Sequence, residues 1–239
     1  MTKIEWCDFT WNPVWGCLRR CPYCYARSIA KRFGREVAFH VKSGWNTALG
    51  GKLEAFMPTL IKDNLNRPFP TKPSRIFVNS MSDIAYWKDE WLRSVLRRAY
   101  KHPEHSFLFL TKEAHIYKTQ PSWGQNLWLG VTATTAEEIR AASYQLSATM
   151  KNLFLSVEPI HGNVRPEISR MFDWVIVGAE TGNRKEKVVP APEWIEMLAD
   201  RCAGLGIPLF MKNSLRRLCE ANGIPFVQQF PEDLKMEKV

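Results

Sequence analysis

Residues 174–180 have the sequence Trp-Val-Ile-Val-Gly-Ala-Glu, a continuous apolar run that ends in a carboxylate. Apolar runs without polar alternation are typical of strands that are buried on both faces, as in parallel sheets. Further runs of this kind, each rich in β-branched or aromatic residues, lie at Arg75–Ser80, Phe107–Lys112, Leu127–Thr132, Leu153–Glu158 and Ile207–Lys212.

Helical patterns lie between these runs. Asp89–Tyr100 has apolar residues at helical spacing, Thr135 and Glu138 open a capping-box-like pattern, and Pro192–Gly204 has the proline start and glycine stop of a helix. Strand–helix alternation with right-handed crossovers gives a doubly wound sheet or a barrel. With Thr10–Trp15 as the first strand, the chain has about seven strands, one short of a complete (β/α)8 barrel.

Each predicted strand ends in a polar residue. The carboxyl ends of strands form the ligand face in barrels and in open parallel sheets, whereas any single polar residue there can be only a turn or cap residue. The recurrence at six strand ends favours a polar site, made of Asn79, Lys112, Thr132, Glu158, Glu180 and Lys212.

Length and composition are those of one globular domain over residues 1–239. Residues 34–73 are interpreted as an insertion that forms a lid or a substrate-binding loop, and residues 213–239 as a C-terminal extension. No apolar run approaches the ~20 residues of a membrane span, and the first residues lack a signal-peptide pattern. A cytoplasmic location without membrane attachment is therefore expected, where six cysteines favour metal or redox chemistry over disulfides.

The positive charge is concentrated in the first half of the chain. Residues 1–120 contain 20 Lys+Arg and 10 Asp+Glu, whereas residues 121–239 contain 13 and 14. A basic half favours a polyanionic partner, nucleic acid first, although a merely well-solvated surface has the same composition.

Cys17, Cys21 and Cys24 have the spacing CxxxCxxC. Three thiolates within eight residues can bind three corners of a [4Fe–4S] cluster and leave the fourth iron open to a small molecule. Structural zinc needs a closed, usually four-ligand site. Cys7 could close such a site as a fourth ligand, but Cys7, Cys202 and Cys219 are more typical of small buried hydrophobic residues.

This motif, with the aromatic Tyr23 just before the last cysteine, resembles the signature of the radical SAM superfamily. The resemblance implies a partial (β/α) barrel of six to seven strands, with the cluster loop after the first strand and Tyr23 against the adenine of S-adenosylmethionine. It also implies that the reduced cluster cleaves this cofactor to a 5′-deoxyadenosyl radical that abstracts hydrogen from a substrate. An electron donor such as flavodoxin or ferredoxin is then required.

A second resemblance covers nearly the whole chain and concerns a phage-associated radical SAM family of largely unassigned function. It implies a phage or prophage protein that acts in the bacterial cytoplasm. The chain departs from many members in the shorter gap between its first two cysteines and in having Lys212-Asn213-Ser214 after the last strand. The similar segments are Ile4-Glu5-Trp6, Thr10–Val14, Ile76–Asp83, Leu110-Thr111-Lys112, Trp128–Thr132, Ser156–Pro159, Asp173–Glu180 and Pro231–Leu234.

The superfamily resemblance also implies cofactor contacts. The segment after the second strand would bind the amino group of the cofactor, and the ends of the middle strands its ribose or carboxylate. Each of these positions can instead be a structural turn. The candidates are Asn79, Ser80, Ser82 and Asp83, then Ser156 and Glu158, and as weaker candidates Lys112 and Thr132.

A basic run crosses the cysteine loop and the helix after it. It is either a solvated helix face or a patch that tracks phosphates beside the active site. With Trp45 as a residue that could stack on a base, the candidates for nucleic-acid binding are Arg19, Arg20, Arg27, Lys31, Arg32 and Trp45. The five histidines show no recognised ligand spacing.

The preferred hypothesis is a radical SAM enzyme that modifies a nucleobase in DNA. A base in a duplex must be flipped out or met as a single strand before chemistry can reach it. The alternatives are a radical SAM enzyme acting on a peptide or small metabolite, and a zinc-stabilised nucleic-acid-binding protein without catalysis.

Overall fold

The computed structural model describes residues 4–30, 56–120, 123–146, 150–182 and 184–235. Seven strands form one parallel sheet, in which neighbours in space are also neighbours in sequence from the second strand onward. The first strand pairs with β4, and the sheet then continues to β9 without a break. In sheet order, the strands are β1 (Phe9–Thr10), β4 (Arg75–Phe77), β5 (Ser106–Thr111), β6 (Leu127–Thr132), β7 (Leu153–Val157), β8 (Trp174–Val177) and β9 (Leu209–Met211).

The sheet is curled around the side chain of Trp6. The Trp6 ring centroid lies 4.6 Å from that of Phe77 on β4 and 6.4 Å from that of Trp174 on β8. In a flat sheet β4 and β8 would be about 19 Å apart, because neighbouring strands are spaced by about 4.8 Å. One ring can contact both strands only if the sheet closes part of a barrel. The predicted partial TIM-like barrel is therefore confirmed.

Helices lie between the strands and cover the outer face of the sheet. Residues 25–30 form helix α1 as far as it is described. The later helices are α2 (Lys62–Asn66), α3 (Asp89–Tyr100), α4 (Ala136–Gln145), α5 (Pro192–Leu205) and α6 (Arg216–Ala221). No helix in the described part of the chain has the length and apolar character that a membrane crossing requires.

Alternation along the strands separates two hydrophobic cores. Outward residues such as Ile76, Val131 and Val177 pack under the helices. Inward residues build an aromatic floor inside the barrel, which consists of Trp6, Phe77, Leu108, Trp128, Phe154, Trp174, Ile176 and Phe210, together with Cys7 and Leu234. Residues that follow on the inner face beyond this floor lie at the carboxyl ends of the strands.

The predicted first strand, Thr10–Trp15, is wrong as a single element. Phe9–Thr10 joins the large sheet, whereas Val14–Trp15 forms β2 and pairs antiparallel with β3 (Thr59–Leu60). Pro13 separates the two pieces, and proline lacks the N–H that a continuous strand would need. A second correction concerns α5, which ends at Leu205: its glycine stop is Gly206, with φ of 71°, two residues after the predicted Gly204.

The proposed insertion, residues 34–73, lies outside the described residues up to residue 55. Its described part, residues 56–73, contains β3 and α2 and contacts the cysteine loop. The described part of the C-terminal extension contains α6 and returns to the sheet, because Gln228 bridges to Phe210 and the indole of Trp174 donates to the carbonyl of Gln229 at 2.9 Å.

Candidate active site at the carboxyl ends of the strands

The loop that follows β1 carries the three cysteines across the carboxyl edge of the sheet. Gly16 bridges to Ser82 in the loop after β4, and its N–H donates to the Met81 carbonyl at 3.0 Å. The Cys17 N–H donates to the Phe56 carbonyl at 2.9 Å. The cysteine loop is thus held between residues 56–57 and the loop after β4.

Gly16 is needed where the chain enters this loop. Its φ is +100°, and a Cβ atom at this position would lie 2.2 Å from the backbone oxygen of Met57. Both the left-handed backbone and the close approach exclude a side chain. A small apolar cluster of Ala26, Ala30, Phe56 and Met81 packs against Cys17 and Cys24 from below.

The three thiols converge without forming a compact set. Each of Cys21 and Cys24 lies near enough to Cys17 to raise its pKa by charge repulsion, although burial is the larger cause of the rise to about 12. Burial also raises the pKa of Cys21, and the positive charges of Lys112 and Arg19 oppose this. The three sulfur atoms do not all lie within 4.8 Å of one another. The loop therefore offers three half-buried thiols beside two cations.

Tyr23 leans over the ends of β5 to β7. The Lys112 ammonium lies 5.3 Å from the centre of the Tyr23 ring, and the ring of His161 meets it edge-on at 5.6 Å. Burial raises the pKa of the Tyr23 hydroxyl, while a hydrogen bond with Thr134 lowers it. Burial likewise lowers the pKa of Lys112, against the attraction of Cys21 and Glu138. The Tyr23 ring is therefore fixed by contacts with three strand-end loops.

His161 brings a further polar group to this edge. Its Nε2 is buried, makes no hydrogen bond to any described residue, and lies 3.9 Å from a carboxylate oxygen of Glu180. Arg184 forms two hydrogen bonds with that carboxylate, at 2.6 and 2.7 Å. These hydrogen bonds are the main cause that holds the pKa of Glu180 below its usual value.

Asn79 and Asp83 are buried and engaged by the protein itself. The Asn79 amide pairs with the backbone of Leu110, donating at 2.5 Å and accepting at 3.0 Å. Asp83 accepts from the Thr111 hydroxyl at 2.6 Å and from the Lys112 and Ala85 N–H groups at 3.0 Å. Burial raises the pKa of Asp83, although these hydrogen bonds oppose the rise. Both side chains thus hold the loops after β4 and β5 in place.

Ser80 and Ser82 lie between those two anchors and are less buried. The Ser80 hydroxyl exchanges hydrogen bonds with the Asn12 amide at 3.0 and 3.1 Å, and Ser82 accepts from the indole of Trp87 at 3.2 Å. The Ser80 carbonyl accepts from the Tyr25 hydroxyl at 2.7 Å. The loop after β4 is in this way tied to the cysteine loop.

Thr132, Ser156 and Glu158 continue the inner face of β6 and β7. Thr132 and Ser156 are register partners at the ends of these strands. The Ser156 hydroxyl donates to Glu158 at 3.3 Å, and the Lys212 ammonium donates to the other Glu158 oxygen at 2.6 Å. Burial lowers the pKa of Lys212, but Glu158 outweighs it and the net pKa is raised. Above the aromatic floor the lumen thus contains a charged pair.

The structure describes three of the six residues that were predicted to bind nucleic acid, Arg19, Arg20 and Arg27. Arg19 forms an ion pair with Glu113 and lowers the pKa of Cys21, and Arg27 donates to the carbonyls of Cys17 and Arg19 at 3.0 and 3.2 Å. Both guanidinium groups therefore stabilise the cysteine loop. Arg20 is exposed. Lys31, Arg32 and Trp45 lie outside the described residues.

Several residues at this edge carried no role in the sequence analysis. Asn12 joins the cysteine loop to the loop after β4 through Ser80 and the Met81 N–H. His161 reaches the site from the loop after β7, and Tyr25 from the first residue of α1. Asn12 and Tyr25 stand near the cysteine motif, which is the one signal that could have marked them. His161 has no such signal, because its contacts are made only in the fold.

Comparisons with known proteins give a family but no assigned activity. The profile of a family described as "Protein of unknown function (DUF5131)" matches residues 1–215. No curated protein matches the chain. The solved structure of a spore photoproduct lyase mutant is similar with a TM-score of 0.49 and 12% sequence identity, over 83% of this chain and 74% of that chain. Since the family profile covers most of its length, the chain belongs to the DUF5131 family of proteins of unknown function.

Proposed function

We propose that this chain is a radical SAM enzyme, in which Cys17, Cys21 and Cys24 bind a [4Fe–4S] cluster beside S-adenosylmethionine. One observation carries the proposal: three thiols from a CxxxCxxC loop converge at the carboxyl edge of a partial (β/α) barrel. That edge is where barrels and open parallel sheets bind ligands. The resemblance of the motif to the superfamily signature agrees with this placement.

The thiol arrangement fits a cluster better than a single zinc ion. Sulfur ligands of tetrahedral zinc lie about 3.8 Å apart, given Zn–S bonds of about 2.3 Å. At least one pair of the three sulfur atoms lies farther apart than this. The remaining cysteines are buried elsewhere, Cys7 in the barrel floor, Cys202 in α5 and Cys219 in α6. Three ligands with one open iron follow from this set.

When bound, the cluster and S-adenosylmethionine supply hydrogen-atom abstraction. The protein's own residues orient the cofactor and exclude water. Tyr23, fixed by Lys112 and His161, offers its ring to an adenine. Ser80, Ser82 and Thr132 have the more accessible polar groups for amine and ribose, whereas Asn79 and Asp83 position the loops that carry them.

The polar chain of Ser156, Glu158 and Lys212 faces the lumen between this cofactor position and the aromatic floor. It supplies hydrogen-bond donors and acceptors next to the reacting groups. The floor beneath is closed by buried rings, which keeps water from entering the lumen from that end.

The cluster is tested by anaerobic reconstitution followed by iron and sulfide analysis. The native protein should hold four irons and be brown, and Cys17→Ala, Cys21→Ala or Cys24→Ala should each abolish a stable cluster. Cys202→Ala is the matched control and should keep the iron. A colourless protein that binds one zinc through the same cysteines would support the non-catalytic alternative instead.

Cofactor cleavage is tested with dithionite and S-adenosylmethionine. The reconstituted protein should release 5′-deoxyadenosine, slowly without substrate and faster with it. Tyr23→Ala should weaken cofactor binding and keep the cluster colour, because the ring packs and does not ligate. An intact, reducible cluster that never releases 5′-deoxyadenosine, with DNA present or absent, would reject the enzymatic function.

The substrate that we favour is a nucleobase in DNA, because the first half of the chain is strongly basic. The outward cations of α3 support a phosphate-binding face. Arg93, Arg97 and Lys101 are exposed, follow one another at steps of four residues, about 6 Å each, and form no ion pair with any described residue. Like charges at this spacing repel one another, so a polyanion would stabilise the stripe.

DNA binding is tested by fluorescence anisotropy with labelled duplex and single strands over a salt series. Reversing Arg93, Arg97 and Lys101 to Glu should weaken binding and flatten the salt slope by up to about 2.7, since each phosphate contact contributes about 0.9. Reversing three exposed cations of the second half, Arg165, Arg170 and Arg217, is the control. Salt-independent binding, together with turnover of a peptide or metabolite, would reject DNA as the substrate in favour of that peptide or metabolite.

A further inference from the structure

A second group of metal-ligating side chains lies at the opposite end of the barrel from the cysteines. His102, Glu104 and His105 occupy the turn between the end of α3 and the start of β5. One ligand atom from each of them lies within 4.8 Å of the others. The spacing of these residues is not that of a familiar metal motif.

The distances within the group are close to those of a metal site. The Nδ1 atom of His102 is 2.9 Å from Oε1 of Glu104, and Nε2 of His105 is 3.6 Å from the same oxygen. Tetrahedral ligands with bonds of about 2.05 Å are about 3.3 Å apart. These two separations bracket that value, and one nitrogen of each histidine lies within 4.8 Å of one from the other.

The rest of the turn holds these side chains in place. The His105 N–H donates to the His102 carbonyl at 3.1 Å, and the Asn126 amide donates to the same carbonyl at 3.3 Å. Phe69 meets the rings of His102 and His105 edge-on, at 4.9 and 5.8 Å. His105 is buried, whereas the side chains of His102 and Glu104 are about one-third and one-half exposed. The site is therefore preformed on one side and open to solvent on the other.

The outer nitrogen of His105 is placed for a supporting contact. This atom, Nδ1, is buried without a hydrogen bond of normal geometry to any described residue, and the Pro70 carbonyl is nearby. A backbone carbonyl is a common partner for the outer nitrogen of a metal-bound histidine.

We propose that His102, Glu104 and His105 form a zinc site with three protein ligands and a solvent molecule in the fourth position. Two imidazoles and one carboxylate form a ligand set that zinc takes in proteins. The ion would tie the end of α3 to the start of β5. It would thus stabilise the barrel at the edge that is remote from the cysteines, independently of any chemistry there.

The experiment must separate this site from the cysteine loop. Zinc bound after equilibrium dialysis is measured by mass spectrometry in the reconstituted full-length protein and in a full-length Cys17→Ala, Cys21→Ala, Cys24→Ala variant. Both should retain one zinc per chain, and added zinc should raise the midpoint temperature of unfolding of both. Zinc held by the cysteine loop would disappear in the triple variant, so the two proposals can fail separately.

Ligand variants then assign the site. His102→Ala and Glu104→Gln change accessible side chains and should each weaken zinc binding at least about tenfold, while His115→Ala removes an exposed histidine elsewhere and should leave it unchanged. His105→Ala alters a buried residue and is interpreted only where its unfolding stays cooperative. The proposal is overturned if the triple cysteine variant binds no zinc, or if its zinc affinity is the same with His102→Ala and Glu104→Gln.

Discussion

Gly16 sets the path of the cysteine loop through its backbone alone. Its positive φ and its contact with the Met57 carbonyl leave no room for a Cβ atom. A side chain here would force residues 16 and 57 apart, and with them the hydrogen bond between Cys17 and Phe56. The geometry of the three thiols therefore depends on a residue that has no side chain.

Gly16→Ala should lower the free energy of unfolding by more than about 2 kcal/mol. A left-handed backbone costs an alanine about 1–2 kcal/mol, and the overlap with the backbone adds a similar amount. Chemical denaturation measures the difference. Gly204→Ala is the matched control, because this helical glycine has open space around it and should gain up to about 1 kcal/mol. Equal stability of the two variants would contradict the close approach.

Glu180 makes the free energy of unfolding depend on pH. Because Arg184 holds the pKa of this carboxyl below its usual value of 4.5, ionised Glu180 stabilises the fold above that pH, and the stabilisation is lost as the pH falls through the folded value. Glu180→Gln should therefore lower the free energy of unfolding at neutral pH. The difference from the native protein should shrink below about pH 4.5. A difference that is constant from neutral to acid pH would show that the ion pair contributes nothing.

Individual site residues can be identified from the sequence where they lie close together along the chain. Cys17, Cys21, Cys24 and Tyr23 can be selected from spacing, because all ligands of the proposed cluster come from one loop. His161 could not be selected in this way. It lies in the loop after β7, two strands from β5, and meets the Tyr23 ring only in the folded barrel. The predicted phosphate contacts of Arg19 and Arg27 stay predictions. The contacts that the two guanidinium groups make in the fold, with Glu113 and with the carbonyls of Cys17 and Arg19, give no signal in the sequence.

Secondary-structure elements have the predicted bounds where a strand is apolar on both faces or a helix is apolar along one stripe. β6 coincides with the predicted Leu127–Thr132, because its residues contact the outer core on one side and the floor on the other. α3 coincides with Asp89–Tyr100, and Thr135 accepts the predicted capping hydrogen bond from Glu138. The first strand departs from its prediction because Pro13 interrupts the ladder and a separate partner, Thr59–Leu60, takes its second half.

Asn12 links two elements and should be a sensitive position. Its side chain bonds to the Ser80 hydroxyl and to the Met81 N–H. Asn12→Ala should cost about 3 kcal/mol, because three hydrogen bonds at about 1 kcal/mol each are lost, two with the Ser80 hydroxyl and one from the Met81 N–H. Denaturant unfolding measures this, and Asn66→Ala, at an exposed asparagine of α2, should change stability by less than about 0.5 kcal/mol. A neutral Asn12→Ala would show that the two loops are held together by packing alone.

The barrel as a whole is completed by the two ends of the described chain. Glu5 accepts a hydrogen bond from the Asn213 N–H at 2.7 Å, after β9, and Trp6 fills the lumen. From the other end, the Phe230 ring contacts Trp174 at 5.4 Å and Leu234 is fully buried in the floor. Contacts over more than 200 residues leave no periodic signal, so the sequence could predict strand number but not how the open barrel is closed.

Leu234→Ala should destabilise the whole fold by about 2–4 kcal/mol, the usual cost of a cavity in a well-packed core. It should also expose the floor, which proteolysis near residue 230 would detect. Val189→Ala removes a valine that is 72% exposed and should stay within about 0.5 kcal/mol of the native protein. If Leu234→Ala lost no more stability than Val189→Ala, the C-terminal segment would only contact the surface of the barrel and would not be part of its core.

The shared floor of Trp6 and Leu234 also fixes the order in which the protein can mature. The cysteine loop is synthesised early, whereas Phe210, Phe230 and Leu234 follow only after the strands that lie between them in the sequence. Until then Trp6 and Phe77 have no complete set of neighbours, and transiently exposed aromatic surface of this kind favours aggregation. The three thiols of the nascent chain are therefore synthesised well before its interior is sealed, and any step that needs a finished lumen must wait for Leu234.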